Sequence, residues 1–435
     1  MHLKNVSFKS ISANCVSVIV SFINIMFNSL LNYSRRNRKM MSFLILFVQR
    51  NCRKLDIFLF LGLLNIKKKI ISWKFCLKYK KKCNFVAKLE FMDVWLKDIL
   101  LESLQMASPS GSEEQIIEFF AKAVMPYVDE VNCDVNGNCI AHKKGNGPKI
   151  MFMAHADEVG LMISYIDDRG FLYFNQIGGI DTNLLPGQRI FIQGKQELVT
   201  GIIGRKPIHL QNESERGKNL SPEDLWIDIA AIDKDDALSK VQVGAVATYA
   251  TMPAILTDTL VLSKSLDDKI GLAVLIGLAH NLQEISTDCD IYLVASVQEE
   301  LGARGAQMVS ETILPEIGIA IDVTHATDYP TMSPAKDGDI RLGKGVVIPM
   351  GPNMNKGINQ KFASIAERIK IPYQVEAIAK PTGTDARMIQ VAGKGIKTGL
   401  ISIPCRYMHT PGEMVSLEDA DNAIALLTEF LQELS

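Results

Sequence analysis

Ile291-Tyr292-Leu293-Val294-Ala295-Ser296-Val297-Gln298-Glu299-Glu300-Leu301-Gly302 is the stretch on which the reading of this chain turns. Its apolar opening, 291–295, predicts a buried strand. Two adjacent carboxylates follow, then glycines at 302 and 305 that mark a turn. Two acids at the C-terminal end of a buried strand need a cation or a proton to coexist. In open α/β sheets that end of the strands is where ligands bind. The competing explanation is an exposed Glu-Glu pair at a helix start, favoured by the helix dipole. The rest of the chain has to decide between the two.

Other apolar runs end in the same kind of residue. The run 149–154 leads into His155-Ala156-Asp157-Glu158-Val159-Gly160, and the run 316–321 ends at Asp322. A strand predicted over 375–379 precedes Pro381-Thr382-Gly383-Thr384-Asp385-Ala386. Another over 398–403 precedes Pro404-Cys405-Arg406-Tyr407-Met408-His409-Thr410-Pro411. Helical patterns lie between and around these runs, at 92–102, beyond 114, at 272–282 and at 417–434. Ser110 or Ser112 is the expected cap of the second, and Ser416 of the last. Residues 130–141 read as a hairpin turning at Asn136-Gly137-Asn138. Strands alternating with helices predict an α/β fold, a mostly parallel sheet flanked by helices. From 158 to 250 the pattern changes to short strands (161–166, 171–174, 189–193, 199–203, 224–230, 243–249) separated by Gly- and Asp-rich turns. That predicts a small all-β barrel or sandwich inserted into the α/β domain.

The composition fits a large globular protein: 435 residues, 47% hydrophobic and 22% charged. The near-zero net charge hides an asymmetry. Residues 1–91 hold 18 Lys/Arg against 2 Asp/Glu, which leaves 29 basic and 46 acidic residues for 92–435. An acidic body argues against a nucleic-acid surface. Residues 1–91 are basic, apolar and without an assignable period. They read as sequence translated from upstream of a start at Met92, so that they are no part of the native protein; a membrane or targeting leader is the alternative. Beyond the leader the cysteines are Cys133, Cys139, Cys289 and Cys405, with no CxxC spacing. That is neither a zinc cluster nor a disulfide framework, and it predicts a reducing, cytoplasmic setting.

His155, Glu299, Glu300 and Asp322 stand at predicted strand ends, His409 follows the last strand, and Asp267 comes from a helix start. Each has an ordinary explanation alone; for Asp268 the helix dipole is enough. Together, two imidazoles and four carboxylates converging on one sheet edge are ligand chemistry for two divalent metals. Nitrogen and oxygen donors without thiolate suit Zn, Co or Mn. Asp157, two residues after His155, suits a carboxylate that fixes the ring's tautomer. A glycosidase could use Glu299 and Glu300 as facing carboxylates, but it has no need of His155 and His409. A related amidohydrolase or carboxypeptidase on the same sheet is the nearer rival.

Five ordered motifs carry a more specific likeness: Ala154-His155-Ala156-Asp157-Glu158-Val159-Gly160, Leu266-Asp267-Asp268-Lys269-Ile270-Gly271, Val297-Gln298-Glu299-Glu300-Leu301-Gly302, Ile321-Asp322 and Arg406-Tyr407-Met408-His409-Thr410. In these the chain resembles the TET-type dinuclear metalloaminopeptidases, the glutamyl, leucyl and deblocking aminopeptidases formerly called endoglucanase-like. Lys206-Pro207-Ile208-His209 and Gly383-Thr384-Asp385-Ala386 match as well. The resemblance spans 92–435 and none of 1–91. It implies a catalytic α/β domain made of 92–157 and 251–435, and an inserted dimerisation barrel at 158–250. It implies self-association as dimers and often as a tetrahedral dodecamer. It implies two divalent metal ions per subunit, with His155 and His409 as terminal ligands and Glu300 and Asp322 completing the two sites. Asp267 would bridge, chosen over Asp268 because the family's bridging acid lies two residues before the Lys. Glu299 would be the general base for a metal-bridging water that attacks the N-terminal peptide bond of a peptide substrate, and Asp157 the partner of His155.

Overall fold

The computed structural model describes residues 95–434 apart from 215 and 218. The reading of 1–91 as a leader lies outside those residues. Among the described residues no helix is long and apolar enough to cross a membrane.

In chain order the strands are β1 (Glu130–Cys133), β2 (Cys139–Lys143), β3 (Lys149–His155), β4 (Gly160–Ile166), β5 (Leu172–Ile177), β6 (Arg189–Gln193), β7 (Leu198–Gly204), β8 (Trp226–Asp228), β9 (Val246–Tyr249), β10 (Ala254–Ile255), β11 (Leu260–Ser263), β12 (Asp290–Ser296), β13 (Ile317–His325), β14 (Val346–Met350), β15 (Tyr373–Ala377), β16 (Lys397–Arg406) and β17 (Glu413–Ser416). The helices that matter to the site are α1 (Glu114–Val124), α2 (Leu266–Asn281), α3 (Arg304–Ile313), α4 (Lys356–Ile369), α5 (Ala386–Val391) and α6 (Leu417–Gln432).

One sheet takes the order β1-β2-β12-β3-β13-β16-β17-β11-β10, with β14 and β15 branching from β16. Its centre, β12-β3-β13-β16, is parallel. Both flanks are antiparallel. The central strands are continuous apolar runs because both faces are covered. On one face α2 is enclosed by the sheet and by α6 and is buried along almost its whole length. A helix that is apolar all round requires such a position. Its Leu272, Val274, Leu275, Ile276 and Leu278 are buried and together supply on the order of 10 kcal/mol of gross burial energy. Helices α3 and α5 cover the other face with a separate apolar cluster around Met153, Val294 and Ile389.

Between β3 and β10 the chain leaves the sheet to form a closed barrel, β4-β5-β8-β7-β6-β9. The barrel has its own core, built on Ile163, Phe174, Ile190, Ile192 and Ile227.

Several local expectations shift. β13 runs three residues beyond Asp322, so that acid lies within the strand rather than at its end. The strand expected at 224–230 is only Trp226–Asp228, and that expected at 375–379 is Tyr373–Ala377. Ser416 sits at the start of α6 but makes no side-chain capping bond. Neither Ser110 nor Ser112 caps α1, which starts after Glu113.

Candidate active site

The parallel register sets the site. Ser296, the last residue of β12, lies opposite His155, the last residue of β3, so both strands stop at the same level. Gln298 then takes a left-handed conformation (φ +57°), which breaks the alternation of a strand. This turn lets Glu299 and Glu300 serve one centre, whereas neighbours on a straight strand point to opposite faces.

The turn is held by acids. Asp157 Oδ1 accepts the Glu299 N–H at 2.9 Å and Oδ2 accepts the Glu300 N–H at 3.1 Å. Ser110 Oγ donates to Oδ2 at 2.6 Å. The serine expected to cap a helix therefore braces this carboxylate instead. Glu113 accepts the Gln298 N–H at 3.2 Å, and Asn138 Oδ1 accepts the Val297 N–H at 2.9 Å. Burial above all pushes the Glu113 carboxyl up to about 7, with the nearby Asp157 charge adding to it.

Both histidines are set in the same tautomer. His155 Nδ1 donates to the carbonyl oxygen of Asp157 at 3.0 Å, while the Asp157 carboxylate stands 3.5 Å away. His409 Nδ1 donates to the carbonyl oxygen of Gly179, a barrel residue, at 2.8 Å. A carbonyl can only accept, so each neutral ring keeps its lone pair on Nε2. Those two Nε2 atoms face one residue. Asp267 Oδ1 lies 2.9 Å from His155 Nε2, and Oδ2 lies 3.1 Å from His409 Nε2. Asp322 Oδ1 is 3.9 Å from His155 Nε2, and Glu300 Oε1 is 3.0 Å from His409 Nε2. His155, Asp267 and Asp322 thus form one group of possible ligands, and Asp267, Glu300 and His409 a second.

Asp267 and Asp268 are joined by a cis peptide bond and neither has helical torsions. The helix dipole therefore does not account for Asp268. Its Oδ1 accepts the Gly271 N–H at 3.1 Å, and its Oδ2 has no hydrogen-bond partner in the structure. Glu299 Oε1 and Asp385 Oδ1 are buried and unpartnered in the same way.

The charges of this cluster do not balance on their own. Burial, reinforced by Asp385, Glu300 and Asp157, pushes Glu299 up to about 9 against the pull of His155. Burial, with Asp267, Glu299 and Asp385, likewise holds Asp322 far above the carboxylate range. Burial opposes charge on His409, but Asp267 and Glu300 outweigh it and raise the ring to about 11. The cluster demands positive charge, met either by two imidazoliums or by divalent cations. Two neutral Nε2 donors, surrounding carboxylate oxygens and unpartnered buried oxygen atoms fit the second.

Three supporting acids were not singled out from the sequence as site residues, although two of them lie inside its motifs. Glu413 is buried and accepts the Asp267 N–H at 3.0 Å and the His409 N–H at 2.8 Å, tying two candidate ligands together. Its place four residues after His409 was the only hint. Asp385, in the Gly-Thr-Asp-Ala motif, accepts from Ser296 Oγ at 2.5 Å. Glu158 is enclosed with Lys264 and Lys269 in a buried ion cluster beneath the site. By contrast His142 pairs with Asp290 at 2.6 Å, and His280 packs against Trp95 and Tyr127.

Residues 137–426 match the sequence model of the M42 glutamyl aminopeptidase family. The lysyl aminopeptidase of Pyrococcus furiosus is 40% identical over 343 residues, which is 78% of this chain and 97% of that protein. The solved structure of an aminopeptidase from the archaeon Desulfurococcus kamchatkensis superposes with a TM-score of 0.73 at 35% identity, covering 78% of this chain and 95% of the other. The Pyrococcus horikoshii TET1 peptidase, whose structure is described as able to assemble into a tetrahedron or a large octahedral shell, gives a TM-score of 0.69 at 30% identity over 78% of this chain and 99% of its own.

Proposed function

This chain belongs to the M42 glutamyl aminopeptidase family and is a metal-dependent aminopeptidase, and from that premise we propose that it works with two divalent ions, Zn or Co with Mn as a further option, that share Asp267. The observation that carries this reading is the position of Asp267, each of whose oxygens faces the Nε2 of a different histidine. His155 with Asp322 would hold one ion and His409 with Glu300 the other. When bound, such ions would polarise the scissile carbonyl and acidify a water molecule.

The chain's own residues supply the rest. Glu299 is the carboxylate of the cluster with an unpartnered buried oxygen on the turn beside Glu300. In this reading it removes a proton from the attacking water and delivers it to the leaving amine. Asp157 positions Glu299 and Glu300 through their backbone N–H groups rather than touching substrate. The carboxylates around Glu300 receive the ammonium of a free N-terminus, which makes the reaction an exopeptidase cleavage. The α/β domain of 92–157 and 251–435 would carry this chemistry. The barrel of 158–250 would serve dimerisation, with higher assembly of the kind described for the TET1 relative. The cysteines of the described part are free, which supports a cytoplasmic setting.

Metal analysis tests the assignment. Asp267→Asn should lose both ions and His409→Ala one, with hydrolysis of an aminoacyl anilide falling in both variants and an N-blocked analogue refused by the wild type. Two full ions retained in Asp267→Asn would remove that residue from the bridging position.

A further inference from the structure

Cys133 and Cys139 are separated by five residues and showed no spacing of interest in the sequence. The β1–β2 hairpin sets them opposite one another. The next pair towards the turn, Asp134 and Asn138, is joined by a backbone hydrogen bond, Asp134 N–H to Asn138 O at 3.0 Å. Hydrogen-bonded and non-hydrogen-bonded pairs alternate along an antiparallel ladder. Cys133 and Cys139 are therefore a non-hydrogen-bonded pair, the closer kind, with Cα atoms about 4.5 Å apart. A disulfide accepts Cα separations of about 4.4–6.8 Å. Opposed residues share a face of the sheet, so neither side chain has to cross it. Both thiols are free; Cys133 is exposed and Cys139 is buried. Burial, and next to it the Cys133 thiol, pushes the Cys139 thiol far above its usual range. The two cysteines are thus unequal, one open to solvent and one held as a neutral thiol behind it.

We infer that Cys133 and Cys139 form a modification site, a dithiol that a hydroperoxide converts to a cross-strand disulfide. Cys133 gives its proton to solvent and its thiolate attacks the peroxide, forming an S–O bond as the O–O bond breaks; the departing hydroxide or alkoxide takes a proton back from solvent and leaves as water or an alcohol. The Cys139 sulfur then attacks the Cys133 sulfur, forming the S–S bond as the S–O bond breaks. The departing hydroxide takes the Cys139 proton and leaves as water. Two thiols lose two electrons and the hydroperoxide gains them. The bond would lie one residue from Asn138, whose side-chain oxygen holds the Val297 N–H ahead of Glu299.

The test uses the full reduced chain exposed to hydrogen peroxide, then alkylated under denaturing conditions and cut with trypsin. The fragment 123–143 contains Cys133 and Cys139 and no other cysteine. It should appear two hydrogens lighter than the dithiol and resist alkylation until a reductant is added. In Cys133→Ser, an exposed position, Cys139 should remain fully alkylatable after the same treatment. Alkylation of both thiols in the wild type, sulfinic acid at Cys133 with Cys139 free, or a crosslink of either to another cysteine would overturn the inference.

Discussion

Asp157→Asn isolates what the Glu299–Glu300 turn depends on. The native carboxylate takes three donors on two oxygens, the N–H groups of Glu299 and Glu300 and the Ser110 hydroxyl. An asparagine side chain keeps one acceptor oxygen and turns an NH₂ towards the other side. Ser110 can rotate and accept, but a backbone N–H cannot, so one of the two turn amides loses its partner in either orientation. A buried donor left without a partner costs about 1–3 kcal/mol. The turn relieves this by moving, and a displacement of about 1 Å at a reacting group costs roughly 100-fold in rate. The expected outcome is a fall of about 100-fold in kcat for an aminoacyl anilide, with KM changed far less, and a Tm lower by a few degrees. Ser110→Ala removes only the hydroxyl donor and should cost less than about 10-fold, because both turn amides keep their acceptors. A kcat within twofold of wild type in Asp157→Asn would refute the claim that this carboxylate positions the turn.

Glu299→Gln should abolish turnover while metal content stays at the wild-type level, measured by elemental analysis beside the peptidase assay. Treatment with a chelator should lower the Tm as well as the activity, since it leaves Asp267, Asp268, Glu300 and Asp322 crowded without compensating charge; adding back a divalent ion should restore both. The ion cluster beneath the site predicts a pH signature. Burial works against charge on Glu158, but Lys264 and Lys269 outweigh it and hold the carboxyl at about 2, below its usual 4.5. A depressed carboxylate stabilises the fold above its unfolded pKa and loses that contribution as pH falls through the folded one. The stability deficit of Glu158→Gln, measured by urea denaturation, should therefore be greatest above pH 4.5 and narrow towards pH 2. A deficit that does not change with pH would contradict this.

The parts of the site at the ends of apolar runs were legible in the sequence. His155 and the Glu299–Glu300 pair announce themselves because a buried strand that stops in charged residues requires an explanation. The supporting work of the acids was not legible, even for Asp157, which its motif singles out, because that work is done through distant main-chain groups. Glu413 meets Asp267 across 146 residues, and Asp157 meets the Glu299 N–H across 142. No local period records such contacts. Ser110 shows the ambiguity at its plainest. A serine ahead of a helix reads as a cap, yet its hydroxyl is drawn to a buried carboxylate that no nearby residue reveals. Cys133 and Cys139 passed unread because pairing across a hairpin follows strand register rather than a spacing motif. Barrel strands such as Trp226–Asp228 were overextended because flanking apolar residues continue the alternation after the ladder has ended.

The bond from His409 to the Gly179 carbonyl has a consequence for how this protein can be re-engineered. The barrel looks like a detachable module, with its own closed ladder and its own core. One of its carbonyls nevertheless fixes which nitrogen of His409 keeps a lone pair. A version trimmed to the α/β body would lose more than the association surface proposed for the barrel, because the ring would be free to flip or change tautomer. A chimera that borrows a relative's barrel must bring the loop around Gly179 in register with the acceptor of its new host. The seam between the two parts therefore runs through the candidate active site, and graft points belong elsewhere.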